Sequence, residues 1–293
     1  MAETKGVCFF AYNNEAIDYI ELAILAAAQS KRHLNLPVTV ITDAGTYNWL
    51  KQKHGGVEHA KKYIDNIVIT DEELKSNHRK HWDSPWSSFN APFFNSNKHK
   101  IWEYSPYDQT LLLDIDYMIR SDTLLHSLDH YEGVCMFNNA VNLRSELPGS
   151  RERFLFDAGI PMWWSTVVYF DRTDVSKLFF DLWAHVADNY DFYQYLYNFP
   201  GKLFRTDYCV SIAVHILNGM TTGDSINSFP ASLINMDQKD DIVEVRDNEW
   251  IMLANDTDKQ WENIVVKITG QDLHCMNKRA LSRHAKQIWE TNT

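Results

Sequence analysis

The sequence predicts an α/β fold with a mostly parallel central sheet flanked by helices and a C-terminal α+β elaboration. Short runs of aliphatic and β-branched residues alternate with a segment whose apolar residues recur at helical spacing, which is the pattern of a βαβ unit. The runs are also continuously apolar, as expected for parallel strands covered by helices on both faces. The length of 293 residues and the hydrophobic content of 45% suit a folded globular chain.

The N-terminal segment contains the clearest βαβ unit. We expect "GVCFFAY" to form the first strand, "NEAIDYIELAILAAAQSKRHL" a helix and "PVTVITD" the second strand. Asn13 or Asn14 is expected to cap this helix, because acids follow in its first turns and "KRH" closes its last turn, as the helix dipole favours.

Two further strands are expected before the middle of the chain. They are "IDNIVIT" and "TLLLDID". The segment between them, residues 75–97, is rich in Ser, Asn, Pro and aromatic residues and shows no periodicity, so we expect an irregular excursion that serves as a lid or acceptor loop.

The second half of the chain repeats the alternation of strands and helices. "SDTLLHSL" predicts a short helix, "GVCMF" and "WWSTVVYFDR" predict strands, and the polar stretch between these two strands is expected to be mobile. Residues 173–197 predict one long amphipathic helix, and "TDYCVSIAVHIL" predicts another that starts at a Thr206 or Asp207 cap. Three strands, "DIVEVRD", "WIMLAN" and "NIVVKITG", and a helix, "MNKRALSRHAKQIWE", are expected at the end. No internal repeat appears, so we expect a single domain over residues 1–293.

Composition excludes several classes of protein. A net charge of −11 disfavours nonspecific binding to nucleic acid, although a local basic patch remains open around residues 144–153 or 278–286. No apolar run approaches the roughly 20 residues of a membrane span, and no signal peptide is evident, so a soluble, cytoplasmic protein is expected. The four cysteines are far apart, which predicts reduced packing residues.

The end of the fourth strand carries the strongest functional pattern. Asp114 and Asp116 point to the same side of an extended segment. They follow a buried strand, at the edge where open α/β sheets bind ligands. Paired carboxylates favour a hard divalent cation, so they indicate a magnesium or manganese site that serves a phosphate. In the alternative interpretation, Asp114 caps a turn and Asp116 is solvated.

A resemblance to a known family begins at these residues. "SPYDQTLLLDIDYMIRSD" resembles the segment of GT-A-fold glycosyltransferases whose DxD motif holds a divalent ion against the diphosphate of a nucleotide sugar. It is similar to the glycogenin and galactosyltransferase group and to related tailed-phage enzymes. "AYNNEAI", "VITD", "MWWSTVVYFDR" and "LHCMNK" follow the same order, so the resemblance covers most of residues 6–278.

The resemblance implies a GT-A type fold and a glycosyltransferase. It implies a nucleotide-binding half over residues 1–137 and an acceptor and sugar half over residues 138–293. The enzyme would move a hexosyl or pentosyl group from a nucleotide-diphosphate sugar, with UDP expected, to a hydroxyl acceptor, with Mn²⁺ or Mg²⁺ as cofactor.

The resemblance also implies roles for individual residues. The metal ligands would be Asp114, Asp116 and His274, and the catalytic acid Asp207, with Asp157 as second choice. The nucleotide-binding and phosphate-binding residues would be Ala11, Tyr12, Asn13, Asp43, Lys98, Lys100 and Lys278. Plainer interpretations stay open: a core aromatic for Tyr12, helix caps for Asp43 and Asp207, and a solvated helix face for the lysines before the DxD segment.

This sequence departs from the family pattern at two places. "HCMNK" lacks the glycines that usually follow the histidine, and "WWST" replaces an Asn and a small residue, so Trp164 and Ser165 would shape the sugar pocket differently. Donor identity, acceptor and stereochemistry are therefore left open.

Two other functions compete with the glycosyltransferase. A nucleotide-sugar-forming nucleotidyltransferase would carry a glycine-rich loop after the first strand, whereas this chain has "AYNNEA". A noncatalytic carbohydrate-binding module would suit the aromatic content of 13% and would not need Asp114. Among acceptors, a hydroxymethylated DNA base, docked on residues 144–153 in a host cytoplasm, is one option that the net charge disfavours, beside saccharides and proteins.

Overall fold

The computed structural model describes residues 4–71, 77–147, 153–201, 203–256 and 262–291. The strands in these ranges are β1 Lys5–Phe10, β2 Val38–Asp43, β3 Asn66–Thr70, β4 Asn77–Ser84, β5 Ser87–Phe93, β6 Gln109–Leu113, β7 Tyr117–Met118, β8 Val134–Phe137, β9 Ala140–Asn142, β10 Trp164–Phe170, β11 Asn227–Ser228, β12 Leu233–Met236, β13 Asp241–Val245, β14 Glu249–Asn255, β15 Asn263–Thr269 and β16 Leu273–Cys275. The helices are α1 Tyr19–Leu34, α2 Ala44–Gln52, α3 Gly56–Ala60, α4 Ile101–Tyr104, α5 Thr123–Leu128, α6 Asp174–Asp188, α7 Tyr190–Tyr197, α8 Thr206–Leu217 and α9 Lys278–Glu290. Single 3-10 turns lie at Lys98–Lys100 and Phe156–Ala158.

A sheet of seven described strands forms the centre of the molecule, in the order β11-β8-β10-β6-β1-β2-β3. Strands β6, β1, β2 and β3 are parallel, whereas β10 runs antiparallel to both β6 and β8. This architecture confirms the predicted α/β class with a mostly parallel sheet.

Alternate residues of β6 pack into two different cores, one on each face of the sheet. Leu111 and Leu113 lie in the core that includes residues of α1, and Leu112 lies in the core that includes Phe179 and Trp183 of α6. All three leucines are at most 1% exposed. Because both faces of β6 are buried up to Leu113, the two acids follow at the end of the strand, where the chain leaves the core.

Three smaller sheets accompany the central one, and two of them contain strands from the C-terminal part of the chain. They are ordered β7-β16-β12-β9, β13-β14-β15 and β4-β5. Strand β16 pairs antiparallel with β7, so that His274 lies opposite Tyr117, directly after the acidic pair. This pairing brings the C-terminal part of the chain to the end of β6.

The expectation of an irregular excursion over residues 75–97 is wrong. Strands β4 and β5 form an antiparallel hairpin, in which His81 pairs with Phe89. The Ser84 hydroxyl closes the turn by accepting hydrogen bonds from the backbone N–H groups of Trp86 and Ser87. From Asn77 to His81 the residues of β4 alternate between at least partly buried and exposed, a period of two that irregular aromatic spacing conceals in the sequence.

Two helix boundaries also differ from expectation. Helix α1 begins after Asp18, whose side chain caps Glu21, because Asn14 instead forms a local turn with the backbone of Ala16 and Ile17. The helix expected over residues 173–197 is broken at Asn189, which separates α6 from α7.

Other expectations on the second half have mixed outcomes. Helix α8 begins at Thr206 as predicted, but Arg205 occupies the N-cap position without a side-chain cap bond. Within the polar stretch that was expected to be mobile, residues 140–142 form β9, and residues 148–152 lie outside the described part of the chain. The four cysteines are buried and free, as predicted. Within the described ranges, no helix combines the length and the apolar character needed to cross a bilayer.

Asp240, in the turn between β12 and β13, makes stability depend on pH. It is 5% exposed, and burial raises its pKa to about 6, although the backbone N–H groups of Asn255 and Asp237 donate hydrogen bonds to it. Because the folded-state pKa exceeds the ordinary value of 3.8, the stabilising contribution is present at low pH and is lost as the pH rises through about 6.

We therefore expect wild-type protein to lose about 2 kcal/mol of free energy of unfolding between roughly pH 4 and pH 7, relative to Asp240→Asn. Urea denaturation of both proteins at the two pH values measures this difference. A difference that does not change with pH would contradict the prediction.

Candidate active site

A pocket opens at the carboxyl end of β6, where Asp114 and Asp116 follow the last buried leucine. The backbone N–H of Asp114 donates to the carbonyl oxygen of Thr166 on β10 at 2.9 Å, which holds the first acid against the neighbouring strand. The β4-β5 hairpin, β10, the first turn of α8 and the start of α9 provide the other walls. The pocket therefore collects side chains from both halves of the sequence.

Asp114, Asp116 and His274 meet at the base of this pocket. One ligand atom from each lies within 4.8 Å of the others. The Nδ1 atom of His274 is 2.9 Å from Oδ1 of Asn235, and its Nε2 atom is 3.6 Å from Oδ2 of Asp116. When Nδ1 donates its proton to Asn235, Nε2 presents a lone pair toward the carboxylates. Two carboxylates and a neutral imidazole are a donor set that suits manganese or magnesium.

The two acids lie in different surroundings. Asp116 is 3% exposed, so the interpretation in which it is a solvated acid is wrong. Burial acts to raise its pKa, but Lys278 and then His274 outweigh burial and hold the pKa well below its usual range. The side chain of Asp114 is 33% exposed and faces the pocket.

Two buried lysines neutralise these carboxylates. Lys98 Nζ lies 2.6 Å from Oδ1 of Asp114 and donates to the carbonyl oxygen of Ser165 at 2.5 Å. Lys278 Nζ lies 2.5 Å from Oδ2 of Asp116. Both lysines line the pocket, so the structure brings two of the three predicted phosphate contacts to the predicted metal ligands.

Asp207 also lines the pocket, from the first turn of α8. Its Oδ1 atom accepts hydrogen bonds from the backbone N–H of Ser165 at 3.0 Å and from the Ser165 hydroxyl at 2.8 Å. These bonds tie Asp207 to β10, so it does not serve as the cap of its own helix. Burial acts to raise its pKa, but Arg205 and the two hydrogen bonds from Ser165 outweigh burial and lower the pKa. The carboxylate is therefore ionised at neutral pH.

Of the residues predicted around the nucleobase, Tyr12 lines the pocket. It is 4% exposed and packs edge-on against Phe94 at 6.5 Å between ring centroids. Asn13 accepts from the backbone N–H of Ile20, and Asp43 caps α2 by accepting from the backbone N–H of Thr46. The side chains of Asn13 and Asp43 therefore each accept a hydrogen bond from the backbone of a helix, α1 and α2 respectively.

Three other predicted residues do not line the pocket formed by the described residues. Ala11 is fully buried, and its backbone bonds to Ile41 and Thr42 on β2. Lys100 ends the 3-10 turn whose first residue, Lys98, points into the pocket. Asp157 is exposed in its own 3-10 turn, Phe156–Ala158.

Sequence reasoning missed three basic residues of the pocket wall. Arg79 and His81 come from β4, and Arg205 precedes α8. The alternation of Asn77, Arg79 and His81 along "NHRKH" is the signal that points to a strand with one polar face toward a ligand. It was obscured by the interpretation of this segment as a loop.

No protein-family model matches the sequence, and no curated protein matches it. Among solved structures, the glycosyltransferase GlyE from Streptococcus pneumoniae is similar at 13% identity, over 78% of this chain and 45% of that chain, with a TM-score of 0.41. Mouse xyloside xylosyltransferase 1 is similar at 10% identity, over 72% and 82% of the two chains, with a TM-score of 0.40. A mannosyltransferase from Pyrobaculum calidifontis, solved with GDP-Man and Mn²⁺, is similar at 12% identity, over 79% of this chain and 55% of that chain, with a TM-score of 0.39. This chain thus spans less than half the length of GlyE.

Proposed function

We propose that this chain is a metal-dependent glycosyltransferase that moves a sugar from a nucleotide-diphosphate sugar, UDP-linked by expectation, to a hydroxyl acceptor. The observation that supports the proposal is the convergence of Asp114, Asp116 and His274 within 4.8 Å, beside two buried lysines at the carboxyl end of a central strand. Carboxylates that hold a cation next to lysines suit a diphosphate better than a neutral sugar alone. We further propose a cytoplasmic location.

Each side chain at the base of the pocket has a role in this proposal. Asp114, Asp116 and His274 would hold the divalent ion, which when bound neutralises negative charge on the leaving nucleoside diphosphate. Lys98 and Lys278 would donate hydrogen bonds to phosphate oxygens. Trp164 and the buried aromatic wall would exclude water from the reacting sugar.

Asp207 would act on the sugar itself. Its low pKa makes it a weak proton acceptor, and its rigid hold by Ser165 suits a carboxylate that stabilises positive charge developing on the sugar ring, or one that orients the donor.

We expect Asp207→Asn to lower the transfer rate by about 100-fold or more while donor affinity changes less than about threefold. Donor affinity is measured by calorimetry and transfer by release of nucleoside diphosphate. Equal losses in affinity and rate would assign Asp207 to donor binding instead.

Saccharides, proteins and a hydroxymethylated DNA base are the acceptor classes under consideration. The two basic patches that the sequence suggested give the DNA acceptor little support. Arg144 pairs with Glu146 at 2.8 Å, and Arg283 pairs with Asp83 and Asp241 at 2.5 and 2.9 Å. Residues 148–152, which include Arg151, lie outside the described ranges. A saccharide or protein hydroxyl is therefore the acceptor class that we favour.

A panel of nucleotide sugars tests the proposed function. UDP-, GDP- and dTDP-linked sugars are added with Mn²⁺ or with EDTA, and the melting temperature and slow donor hydrolysis are recorded. We expect at least one donor to raise the melting temperature by several degrees with Mn²⁺ and not with EDTA, since ligand binding to the folded state adds stability. If every donor leaves the melting temperature unchanged, the proposal fails.

A further inference from the structure

The wall of the pocket contributed by the β4-β5 hairpin carries a cation that the proposed donor site does not use. Arg79 lies on β4, and its guanidinium carbon is 4.8 Å from the centre of the Phe93 ring. Its guanidinium forms no hydrogen bond or ion pair with any residue that the structure describes, although the carboxylates of Asp207 and Asp116 attract it at longer range. Arg205 lies close enough to repel it, and both guanidinium groups line the same pocket.

The charges of the pocket do not balance around a metal ion and a diphosphate. Among the described residues, four lysine or arginine side chains and three carboxylates line it. Lys98 and Lys278 pair with Asp114 and Asp116 at 2.6 and 2.5 Å, and Arg205 approaches Asp207 at 3.5 Å. A divalent ion adds two positive charges and a nucleoside-diphosphate sugar brings about two negative ones, so an excess of positive charge remains beside Arg79.

Uncharged polar atoms of the same pocket also lack hydrogen-bond partners among the residues that the structure describes. They include Nε2 of His81 and Oδ1 of Asn95, both buried. His81 is 4% exposed, stacks on Phe89, and has its pKa lowered to about 4 by burial and then by Lys278 and Arg79. A neutral imidazole that lies two residues from Arg79 on the same face of β4 can hydrogen-bond a ligand that the arginine attracts.

We infer that Arg79, Arg205 and His81 form a second anion subsite, which takes a carboxylate or phosphate group carried by the substrate in addition to the diphosphate. This inference rests on the proposed function, since it assigns the chemical class of the transferred sugar or of the acceptor. Arginine suits the role because its planar guanidinium binds a carboxylate or phosphate through two parallel hydrogen bonds. The anionic group can belong to a uronic acid on the donor or to a phosphorylated acceptor sugar.

Calorimetry with paired charged and neutral probes tests the subsite and separates these two sources. In the presence of Mn²⁺, UDP-glucuronate is compared with UDP-glucose. In the UDP-saturated protein, glucose 6-phosphate is compared with glucose. We expect wild type to bind the charged member of one pair with about tenfold or greater affinity than the neutral member, as a charge-assisted bidentate contact would give. The pair that shows the preference identifies whether the donor or the acceptor carries the anion.

Variants on β4 assign the preference to Arg79. Arg79→Gln should reduce it to less than about threefold, and Arg79→Lys should retain part of it, while the affinity for UDP itself stays unchanged. Lys80→Gln is the matched control, because Lys80 is the adjacent residue on the exposed face of the same strand. If wild type binds charged and neutral probes alike, or if Arg79→Gln keeps the preference, the subsite is refuted even though UDP binds.

A third arm keeps the inference testable should the proposed function fail. If wild type does not bind UDP, inorganic phosphate without nucleotide is titrated into wild type and Arg79→Gln. A phosphate affinity that falls about tenfold in the variant supports the anion subsite, and an unchanged affinity overturns it.

Discussion

Asp114→Asn is expected to reduce metal-dependent sugar transfer by about 1,000-fold or more, the largest effect on activity that we predict. The substitution keeps the size of the side chain but removes the negative charge that a divalent cation requires. The substitution also removes the counter-charge of Lys98, which is 7% exposed and keeps its bond to the Ser165 carbonyl oxygen, so some stability is lost as well. Circular dichroism therefore checks that the variant is folded before transfer is measured. Manganese titrations followed by donor hydrolysis measure the loss.

The control for this experiment is Asp122→Asn, an exposed acid a few residues further along the same segment. Its side chain is 67% exposed and does not line the pocket of the described structure, so transfer should be unchanged. If Asp114→Asn keeps its activity and its manganese dependence, Asp114 is not a metal ligand and the proposed mechanism is refuted.

Asp116→Asn is expected to lower the free energy of unfolding by about 3 kcal/mol, the largest effect on stability that we predict. Asp116 is 3% exposed, and its carboxylate is the partner of Lys278 at 2.5 Å. Replacing it by a neutral amide leaves the buried ammonium without a counter-charge, which costs far more than a surface pair is worth. Urea denaturation at neutral pH measures the loss.

The double variant Asp116→Asn/Lys278→Met separates this cause from damage to packing. Because the unpaired charge is gone, we expect it to recover most of the lost stability, although the metal site stays disabled. A double variant no more stable than Asp116→Asn would show that the carboxylate is needed for packing or hydrogen bonding rather than as a counter-charge.

Local patterns in the sequence were sufficient to predict six of the seven described strands of the central sheet, all except β11. Strands β1, β2 and β6 and helix α1 have periodicities that one segment of chain determines by itself. The start of α1 was misplaced because Asn14 and Asp18 are both good caps, and only the tertiary arrangement decides which one is used. The β4-β5 hairpin was missed because its alternation is mixed with aromatic residues that pack across strands, a pairing that the sequence does not display.

The acidic and basic base of the pocket was predicted, but its second cationic wall was not. The structure brings seven predicted residues to the pocket: Tyr12, Lys98, Asp114, Asp116, Asp207, His274 and Lys278. The sequence resemblance named all of them. Arg79 could not be named in this way, because its place depends on how the hairpin lies over the sheet edge. Asp43 and Asn13 were expected at the nucleobase, and their side chains instead have capping partners, which a single sequence cannot distinguish from ligand contacts.

The pairing of Lys278 with Asp116 joins residues that are 162 positions apart, and the backbone N–H of Cys275 donates to the carbonyl oxygen of Asp116 at 2.7 Å. The base of the pocket is therefore complete only after β16 and α9 dock onto the end of β6. Contacts of such long sequence separation carry a large loop-closure cost and form late in folding. If the proposed ion or nucleotide binds only the docked arrangement, it would stabilise that arrangement in proportion to the logarithm of its concentration, and the C-terminal segment would be held more tightly when the ligand is abundant.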